Sequence, residues 1–332
     1  MSDPTPGSAV APLEFTGTVA VIGLGHMGGP MAANLAAAGV DVVGFDLVDA
    51  ALAAARGAGI RIAASGEAAV TQADVVITML PAGRHVLAAY EGGLLAAARP
   101  GTLFIDCSTI AVDDARAVAA LAVAAGHRAL DAPVSGGVVG AERGTLAFMV
   151  GGEAADVAQA LPLLEIMGGR IVHCGAAGLG QAAKVCNNMI LGVSMLAVSE
   201  AFVLGERLGL EHQALFDVAA NASGQCWALT TNCPVPGPVP TSPANRDYAP
   251  GFAGALMAKD LGLAVDALDS TGVHAEAGRL AAAAFARFAE GEGAGLDFSA
   301  IIDDIRMRGA SPTAAAAAHP EPPAALDGRD LS

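Results

Sequence analysis

The chain has 332 residues, and its 33 acidic against 17 basic side chains leave a formal net charge of −16. Such a surface repels phosphate backbones, and the basic residues are scattered singly, so the composition excludes a nucleic-acid partner. Only two lysines occur, Lys184 and Lys259. Hydrophobic residues make up 54% of the chain. This length and composition predict about two domains with sizeable cores.

The sequence also argues against a membrane segment and a metal site. The uncharged stretch at 15–40 contains Gly23, Gly25, Gly28, Gly29 and Pro30, a poor composition for a spanning helix. The N-terminus lacks the pattern of a secretion signal. The five cysteines include no CxxC pair and the seven histidines no HxxxH pair, which is typical of reduced thiols without a bound metal. We therefore expect a cytoplasmic protein.

In chain order, a Pro- and Ala-rich segment at 1–16 is predicted to be a flexible tail, and 310–332 a disordered one. Between them, apolar runs alternate with amphipathic stretches up to about residue 175. The runs predict strands at 19–22, 42–45, 74–79, 102–105, 129–130, 146–150 and 171–174, with a helix at 27–38. This alternation predicts a Rossmann-type α/β domain over 17–179, a doubly wound parallel sheet with helices on both faces.

The pattern changes after residue 175. Residues 181–208 fit one long helix that only Gly192 and Gly205 interrupt, and the rest to residue 308 is helical apart from a Pro-rich loop at 233–250. We predict an all-helical domain for substrate binding and oligomerisation over 180–309. Because the long helix is apolar and weakly charged, it needs cover beyond its own domain. We therefore expect a homodimer or homotetramer.

A glycine-rich motif joins the first strand to the first helix. Its first glycine permits a tight turn, the second lets the backbone approach a pyrophosphate, and the third allows close packing of helix on strand. An aspartate ends the second strand, where it can accept hydrogen bonds from a ribose and repel a 2′-phosphate. This arrangement predicts NAD in preference to NADP. The predicted contacts are Gly23, Leu24, Gly25, His26, Met27, Gly28 and Asp46.

Two further loops follow predicted strands. The segment DAPVSGG at 131–137 combines small residues with a hydroxyl, which leaves backbone N–H groups accessible to a carboxylate; by itself it is more typical of an ordinary loop. The segment DCST at 106–109 follows a strand at the edge where such sheets bind ligands. A nicotinamide contact and a helix cap explain it equally well.

The two lysines differ in their surroundings. Lys184 and Asn188 are four residues apart on the long helix and therefore share a face. The uncharged neighbourhood of Lys184 would ease its deprotonation, which favours a functional role over a solvated helix lysine. Lys259 directly precedes Asp260, and this local sequence favours a surface charge pair.

Together these segments resemble the β-hydroxyacid dehydrogenase family over about residues 19–305. The matching stretches are GLGHMGGPMAANL (23–35), MLPA (79–82), DCSTI (106–110), DAPVSGG (131–137), GQAAKVCNN (180–188) and LMAKDLGLA (256–264). A narrower likeness to the family's 3-hydroxyisobutyrate branch lies in CW (226–227), PVPG (234–237), DY (247–248) and GF (251–252).

The resemblance implies an NAD-dependent dehydrogenase in which Lys184 is catalytic. It implies substrate contacts from Ser135, Gly136, Gly137, Asn188, Lys259 and Asp260. It implies further cofactor contacts from Leu80, Pro81, Thr109 and Lys259. For the narrower branch, the implied reaction is oxidation of 3-hydroxyisobutyrate to methylmalonate semialdehyde in valine breakdown.

One position departs from the family pattern. Asn232-Cys233 stands where the family usually has Tyr-Asn, in a loop expected to border the substrate pocket, so the accepted substituent at C2 is open. A sister reductase acting on tartronate or succinic semialdehyde is therefore a second hypothesis. A non-catalytic NAD-sensing protein of the same fold is a third, against which the presence of Lys184 with Asn188 argues.

Overall fold

The computed structural model describes residues 15–309, which form nine strands and fourteen α-helices. The strands are β1 (Thr18–Ile22), β2 (Asp41–Phe45), β3 (Arg61–Ile62), β4 (Val75–Thr78), β5 (Leu103–Asp106), β6 (Arg128–Asp131), β7 (Val134–Ser135), β8 (Leu146–Gly151) and β9 (Gly168–Gly175). All seven predicted strands are present. The tail expected at 310–332, and residues 1–14 of the one expected at 1–16, lie outside the described residues.

The helices alternate with the strands and then continue alone. They are α1 (Gly28–Ala37), α2 (Asp49–Gly57), α3 (Gly66–Val70), α4 (Gly83–Ala89), α5 (Leu95–Ala97), α6 (Val112–Ala124), α7 (Gly137–Arg143), α8 (Ala154–Met167), α9 (Leu179–Arg207), α10 (His212–Ala219), α11 (Trp227–Thr230), α12 (Gly254–Thr271), α13 (Glu276–Phe288) and α14 (Ile301–Gly309). The predicted change from mixed to helical structure thus follows β9.

The strand order is β3-β2-β1-β4-β5-β6-β8-β7, with β9 beside β8. The first six strands in this order are parallel, and β1 lies between β2 and β4. The chain therefore changes direction across the sheet at β1. In doubly wound sheets, ligands bind outside the carboxyl ends of the strands at this point.

The predicted parallel sheet is confirmed for most of its strands, and one edge contains an antiparallel strand. Strand β8 runs antiparallel to both β6 and β7. The chain between β6 and β8 is used for β7 and the short helix α7, and it returns β8 in the opposite direction. Strands β3 and β7 were missed because a two-residue strand is too short to show alternation.

Buried apolar side chains cover both faces of the sheet. Val21 and Ile77 pack with Leu35 of α1 on one face, whereas Val76 packs with Val118 of α6 on the other. Successive side chains of a strand point to opposite faces, so a strand covered on both sides has to be apolar throughout. This explains why β1 and β4 are continuous apolar runs.

Helix α9 is the centre of the helical half. Its Met195 packs with Leu261 of α12, Phe285 of α13 and Ile301 of α14. A Cβ on Gly192 would lie 2.9 Å from the side chain of Leu261, which explains a glycine inside this helix. In length and composition α9 could cross a membrane, but a single such helix is weak evidence because the core helix of a soluble protein passes the same test.

Candidate active site

The glycine-rich turn has the geometry that its sequence predicts. Gly23 has a φ of +95°, and a Cβ there would overlap the carbonyl of Met79. A Cβ on Gly28 would overlap the carbonyl of Gly23, whereas one on Gly25 would meet nothing within 4 Å. Helix α1 begins at Gly28, and no side chain in the described chain caps it. Its first N–H groups and the open space at Gly25 therefore suit a pyrophosphate.

Asp46 follows β2 and is bonded to this turn. Its Oδ2 accepts from the backbone N–H of Leu24 at 2.7 Å, and its Oδ1 accepts from Val48 at 2.8 Å. Each oxygen can accept a second bond, so a ribose hydroxyl can still donate to the carboxylate. The residues that follow, Leu47 and Val48, are exposed and apolar, and so bring no positive charge for a 2′-phosphate.

A hydrogen-bond chain joins the ends of β4 and β5. The Leu80 N–H donates to Ser108 Oγ at 2.8 Å, and Ser108 Oγ donates to Asp106 Oδ1 at 2.6 Å. Thr78 Oγ1 donates to the same oxygen at 2.7 Å. The alternative explanation of this segment as a helix cap is wrong, because α6 begins after Ala111 and no described side chain caps it.

Asp106 itself is buried beneath these contacts. Its Oδ2 has no hydrogen-bond partner within residues 15–309, and it borders a cavity of about 10 Å³ that Tyr90 and Asp131 also line. Burial raises the pKa of Asp106 to about 6, against the opposing effect of the bonds from Ser108 and Thr78. Such a cavity holds about one water molecule at most. Asp106 therefore holds Ser108 and Thr78 in place from beneath the site, and its side chain is not exposed at the site surface.

The two lysine segments meet in a buried cluster. Asn188 Nδ2 donates to Asp260 Oδ2 at 2.6 Å, which joins α9 to α12. Lys259 Nζ donates to the carbonyl of Thr109 at 2.6 Å and lies 3.9 Å from Asp260 Oδ1. Asp260 is only 5% exposed, so the prediction that Lys259 and Asp260 form a charge pair on the surface is wrong. The packing of α12 against α9, which no local sequence reveals, buries this carboxylate.

The electrostatics of the cluster centre on Lys184. Burial lowers the pKa of Lys184; the charge of Asp260 opposes this shift and that of Lys259 adds to it. Burial likewise raises the pKa of Asp260, while both lysines and the bond from Asn188 oppose that shift. Within residues 15–309 the Lys184 amine makes neither a hydrogen bond nor an ion pair. A buried amine with a lowered pKa can both take up and return a proton.

The loop after β7 lies against the helical half. Gly136 and Gly137 have φ values of +130° and +62°, which favour glycine. A Cβ on Gly137 would lie 2.8 Å from the carbonyl oxygen of Gly251, so the segment before α12 packs closely on this loop. Ser135 pairs with Ala147 of β8. The turn thus offers a hydroxyl and backbone N–H groups beside the helical domain.

Hydrogen bonds and one ion pair join several of the predicted site residues in three groups. Asn188, Lys259, Asp260 and Thr109 are joined by direct contacts, Leu80 is held through Ser108, and Asp46 through Leu24. The side chains of His26, Met27 and Pro81 make no hydrogen bond in the part of the chain that is described. Among residues 15–309, no three His, Cys, Asp or Glu side chains are grouped as a metal site would require.

Comparison with known proteins identifies the family. Residues 18–175 match the NAD binding domain of 6-phosphogluconate dehydrogenase, and residues 178–305 match the domain described as NAD-binding of NADP-dependent 3-hydroxyisobutyrate dehydrogenase. The probable 3-hydroxyisobutyrate dehydrogenase of Mycobacterium tuberculosis is 59% identical over 291 residues, 88% of this chain and 98% of that protein. The chain belongs to the 3-hydroxyisobutyrate dehydrogenase family.

Other members of this family are also similar to this chain over nearly their whole length. A solved structure of the Mycobacterium tuberculosis 3-hydroxyisobutyrate dehydrogenase with L-serine superimposes with a TM-score of 0.86 at 58% identity, covering 88% of this chain and all of the other. The NAD-dependent L-serine dehydrogenase of Pseudomonas aeruginosa is 48% identical over 285 residues, 85% of this chain and 96% of that protein. The predicted family, fold class and NAD cofactor are confirmed, and the protein is an NAD-dependent oxidoreductase.

The position that departs from the family pattern lies inside the helical half. Asn232 Nδ2 donates to Asp297 Oδ1 at 3.0 Å. Cys233 is completely buried in an apolar cluster with Phe202 and Val235. Both side chains therefore make contacts inside the helical half of this chain, Asn232 by a hydrogen bond and Cys233 by apolar packing.

Sequence reasoning missed two polar residues that support the site. Gln181 is fully buried at the start of α9, and its side chain bonds the loop after β5. Asp131 is buried at the end of β6 and accepts hydrogen bonds from the start of α9. The available signal for Gln181 was a polar side chain in the uncharged run that contains Lys184.

Proposed function

We propose that this protein catalyses the reversible NAD-dependent oxidation of 3-hydroxyisobutyrate to methylmalonate semialdehyde, a step of valine breakdown. The observation that carries the proposal is Lys184, a buried residue whose amine has no hydrogen-bond partner in the described chain, beside the Asn188–Asp260 pair. The names of two relatives support the same substrate. One is the probable 3-hydroxyisobutyrate dehydrogenase of Mycobacterium tuberculosis, and the other is a second Pseudomonas aeruginosa protein, named 3-hydroxyisobutyrate dehydrogenase, that is 48% identical over 287 residues.

The cofactor would lie along the carboxyl edge of the sheet. Its pyrophosphate suits the open space at Gly25 and the start of α1, and its ribose suits Asp46. Thr109 and Leu80 would line the nicotinamide end, where Lys259 reaches the same loop. Bound NAD supplies hydride acceptance, and the protein supplies orientation and charge.

Lys184 would exchange the proton of the reaction. During oxidation, the hydroxyl on C3 of the substrate would give its proton to the Lys184 amine, while bound NAD would supply the acceptor for the hydride of C3. This needs the neutral amine, which the lowered pKa makes available. In reduction the protonated amine returns the proton, and its charge stabilises the oxyanion that develops on the aldehyde oxygen.

The substrate carboxylate would bind the loop at 135–137. The Ser135 hydroxyl and the backbone N–H groups at Gly136 and Gly137 are donors of the kind that a carboxylate needs. Asn188, held by Asp260, would orient the substrate between this loop and Lys184. Both glycines are needed because a side chain at these positive φ values is strained.

L-Serine is a second candidate, because one relative is named as an L-serine dehydrogenase and the similar solved structure from Mycobacterium tuberculosis includes L-serine. It shares the primary alcohol and the carboxylate, and has an ammonium group where 3-hydroxyisobutyrate has a methyl group. The cluster of Lys184, Lys259 and Asp260 has no excess negative charge whether or not Lys184 is protonated. It therefore offers no compensation for a buried ammonium group, which favours the methyl compound.

Steady-state kinetics would test the substrate. We expect the highest kcat/KM in oxidation for 3-hydroxyisobutyrate, and a clear preference for NAD over NADP. The panel should include L-serine, and in reduction methylmalonate, tartronate and succinic semialdehydes. A higher kcat/KM for L-serine, or for either rival aldehyde in reduction, would overturn the proposed substrate. Tight NAD binding without turnover of any of them would support a non-catalytic sensor.

We propose a homodimer or homotetramer that buries the groove between α9, α13 and α14. The groove has a volume of about 430 Å³, and Val193, Leu196 and Leu280 are among its apolar lining. Acidic and basic residues share its rim, including Glu200 and Arg287, which suits contact with a second copy. We expect Leu280→Glu to give monomers by light scattering; an unchanged mass would exclude this surface.

We also propose that the protein works in the cytoplasm. All five cysteines are free thiols, and Cys107 and Cys233 are buried, as expected in a reducing compartment. Fractionation of cells that express the untagged chain should recover it in the cytosol. Recovery in the membrane fraction would contradict this proposal and point instead to the apolar helix α9.

A further inference from the structure

The first turn of α9 is bonded to the loop after β5 through one buried side chain. Gln181 is fully buried, its Nε2 donates to the carbonyl of Ser108 at 2.7 Å, and its Oε1 accepts from the N–H of Ile110 at 3.2 Å. These two partners flank Thr109, whose carbonyl accepts from Lys259. The amide therefore connects the helix of Lys184 with the loop proposed to meet the nicotinamide.

A carboxylate from another strand caps the same turn. Asp131 at the end of β6 accepts from the N–H of Gly178 at 2.6 Å and from the N–H of Gln181 at 2.9 Å. The N-cap residue of α9 is Gly178, which has no side chain to accept a hydrogen bond from the first turn. Asp131, which lies 47 residues earlier in the sequence, is the acceptor instead. A Cβ on Gly180 would overlap the backbone of Met149, so the turn sits tightly on the sheet.

This anchorage controls where Lys184 lies. Lys184 is three residues after Gln181, within one helical turn, and both side chains are buried. Its amine has no hydrogen bond within residues 15–309 that would hold it independently. Its position therefore depends on the helix, and the helix start depends on Gln181 and Asp131.

We propose that Gln181 and Asp131 are positioning residues that set the Lys184 amine relative to the loop at Ser108–Ile110, and hence to the reacting carbon. The proposal rests on the proposed role of Lys184. A displacement of about 1 Å at a reacting group can lower the rate by about 100-fold, so small shifts of this turn have large kinetic effects.

Gln181→Glu is the sharpest test because it keeps the shape of the side chain. An ionised carboxylate can accept from Ile110 but opposes the Ser108 carbonyl with a second acceptor, whereas a protonated carboxyl restores the donor. We expect kcat to fall by about tenfold or more at pH 8 and to recover towards the parent value as the pH is lowered, each compared with the parent at the same pH. The Kd for NAD should stay within about threefold.

Two further variants complete the experiment. Asp131→Asn places an amide N–H₂ against a backbone N–H, and should lower kcat while NAD binding is retained. Asn245→Asp is the control: Asn245 makes the same two kinds of bond, from Gly237 N–H and to Val239 carbonyl, in the Pro-rich loop. We expect it to keep kcat within about twofold at each pH, since the hydrogen bonds that this amide makes within residues 15–309 stay inside the Pro-rich loop and reach neither the first turn of α9 nor the loop at Ser108–Ile110.

The outcomes separate the two proposals. If Lys184→Ala is inactive while Gln181→Glu turns over normally at every pH, the positioning role is wrong and the proposed function stands. If Lys184→Ala itself keeps normal turnover, the role of Lys184 fails first. Should Gln181→Glu not fold, Gln181→Met removes both bonds without adding a charge. A folded Gln181→Met variant with parental kcat would also overturn the positioning role.

Discussion

The nucleotide edge and the lysine cluster differ in the groups that form them, backbone atoms in the first and side chains in the second. At the nucleotide edge, backbone atoms and the absence of side chains make the surface: Gly23, Gly25 and Gly28 lie within six consecutive residues, and Gly25 borders open space. The lysine cluster is formed instead by buried polar and charged side chains. Two of them, Asn188 and Asp260, are 72 residues apart in the sequence. The proposed cofactor binding and the proposed proton transfer thus depend on separate parts of the chain.

This difference has a physical reason. A diphosphate is recognised by several N–H groups at once, and a single turn with a helix start supplies them. A lysine that has to lose its proton needs an apolar surrounding with a controlled number of charges. No single helix surrounds its own side chain, so such a place requires the packing of α9 against α12. Variants should therefore affect chemistry and cofactor binding independently.

The largest effect is expected for Lys184→Ala. Loss of the proton acceptor and of its charge should lower kcat by about 1000-fold or more, because acid–base and electrostatic contributions are both removed. The Kd for NAD, measured by fluorescence titration, should stay within about twofold. Cys186→Ala, an exposed change on the same helix, is the control. Near-normal turnover of Lys184→Ala would contradict the proposal that the lysine cluster carries out the proton transfer.

Gly25→Ala should show the opposite behaviour. The methyl group meets no protein atom within 4 Å, and the φ of Gly25 is not in the left-handed region, so the melting temperature should be unchanged. The methyl group would occupy the space proposed for the pyrophosphate, and should weaken NAD binding by about tenfold. Gly57→Ala, which is equally open, should leave the Kd for NAD unchanged. Equal affinities for the two variants would contradict the assigned pyrophosphate position.

The smallest effect is a shift in pH dependence. The charge of Asp260 raises the pKa of Lys184 against the effect of burial, so Asp260→Asn should lower that pKa further. Since oxidation needs the neutral amine, the rise of kcat/KM with pH should move about one pH unit towards acid. Asp266→Asn, on the exposed side of α12, should leave the profile in place. An unchanged profile, or a shift towards alkaline pH, would contradict the proposed effect of the Asp260 charge on the pKa of Lys184.

The contrast also explains what could be predicted. The strands β1 and β4 and the glycine turn were readable because their signals are contiguous: apolar runs, and glycines at a spacing that one turn requires. Strands β3 and β7 were too short to leave a pattern. The antiparallel direction of β8 was not predicted, because strand direction depends on how the connecting chain folds, which residue type does not encode.

The charged residues show the limit most clearly. Lys259-Asp260 looks like a surface pair in sequence, yet Asp260 is buried against Asn188. Gln181 looks like an ordinary helix residue, yet it bonds both sides of Thr109. The family resemblance could name Asp260 as a substrate contact, but its burial and its bond to Asn188 required the assembled helices.

By itself, the sequence determined the fold class and the nucleotide-binding turn, and it predicted roles for Asp46 at the end of β2 and for Lys184. All of these follow from residues that are close in the chain or from a motif that the family shares. The tertiary structure alone decided the burial of Asp260, the link through Gln181 and the cap from Asp131. Burial and long-range hydrogen bonds are properties of packed elements, because they exist only once distant segments exclude water from one another.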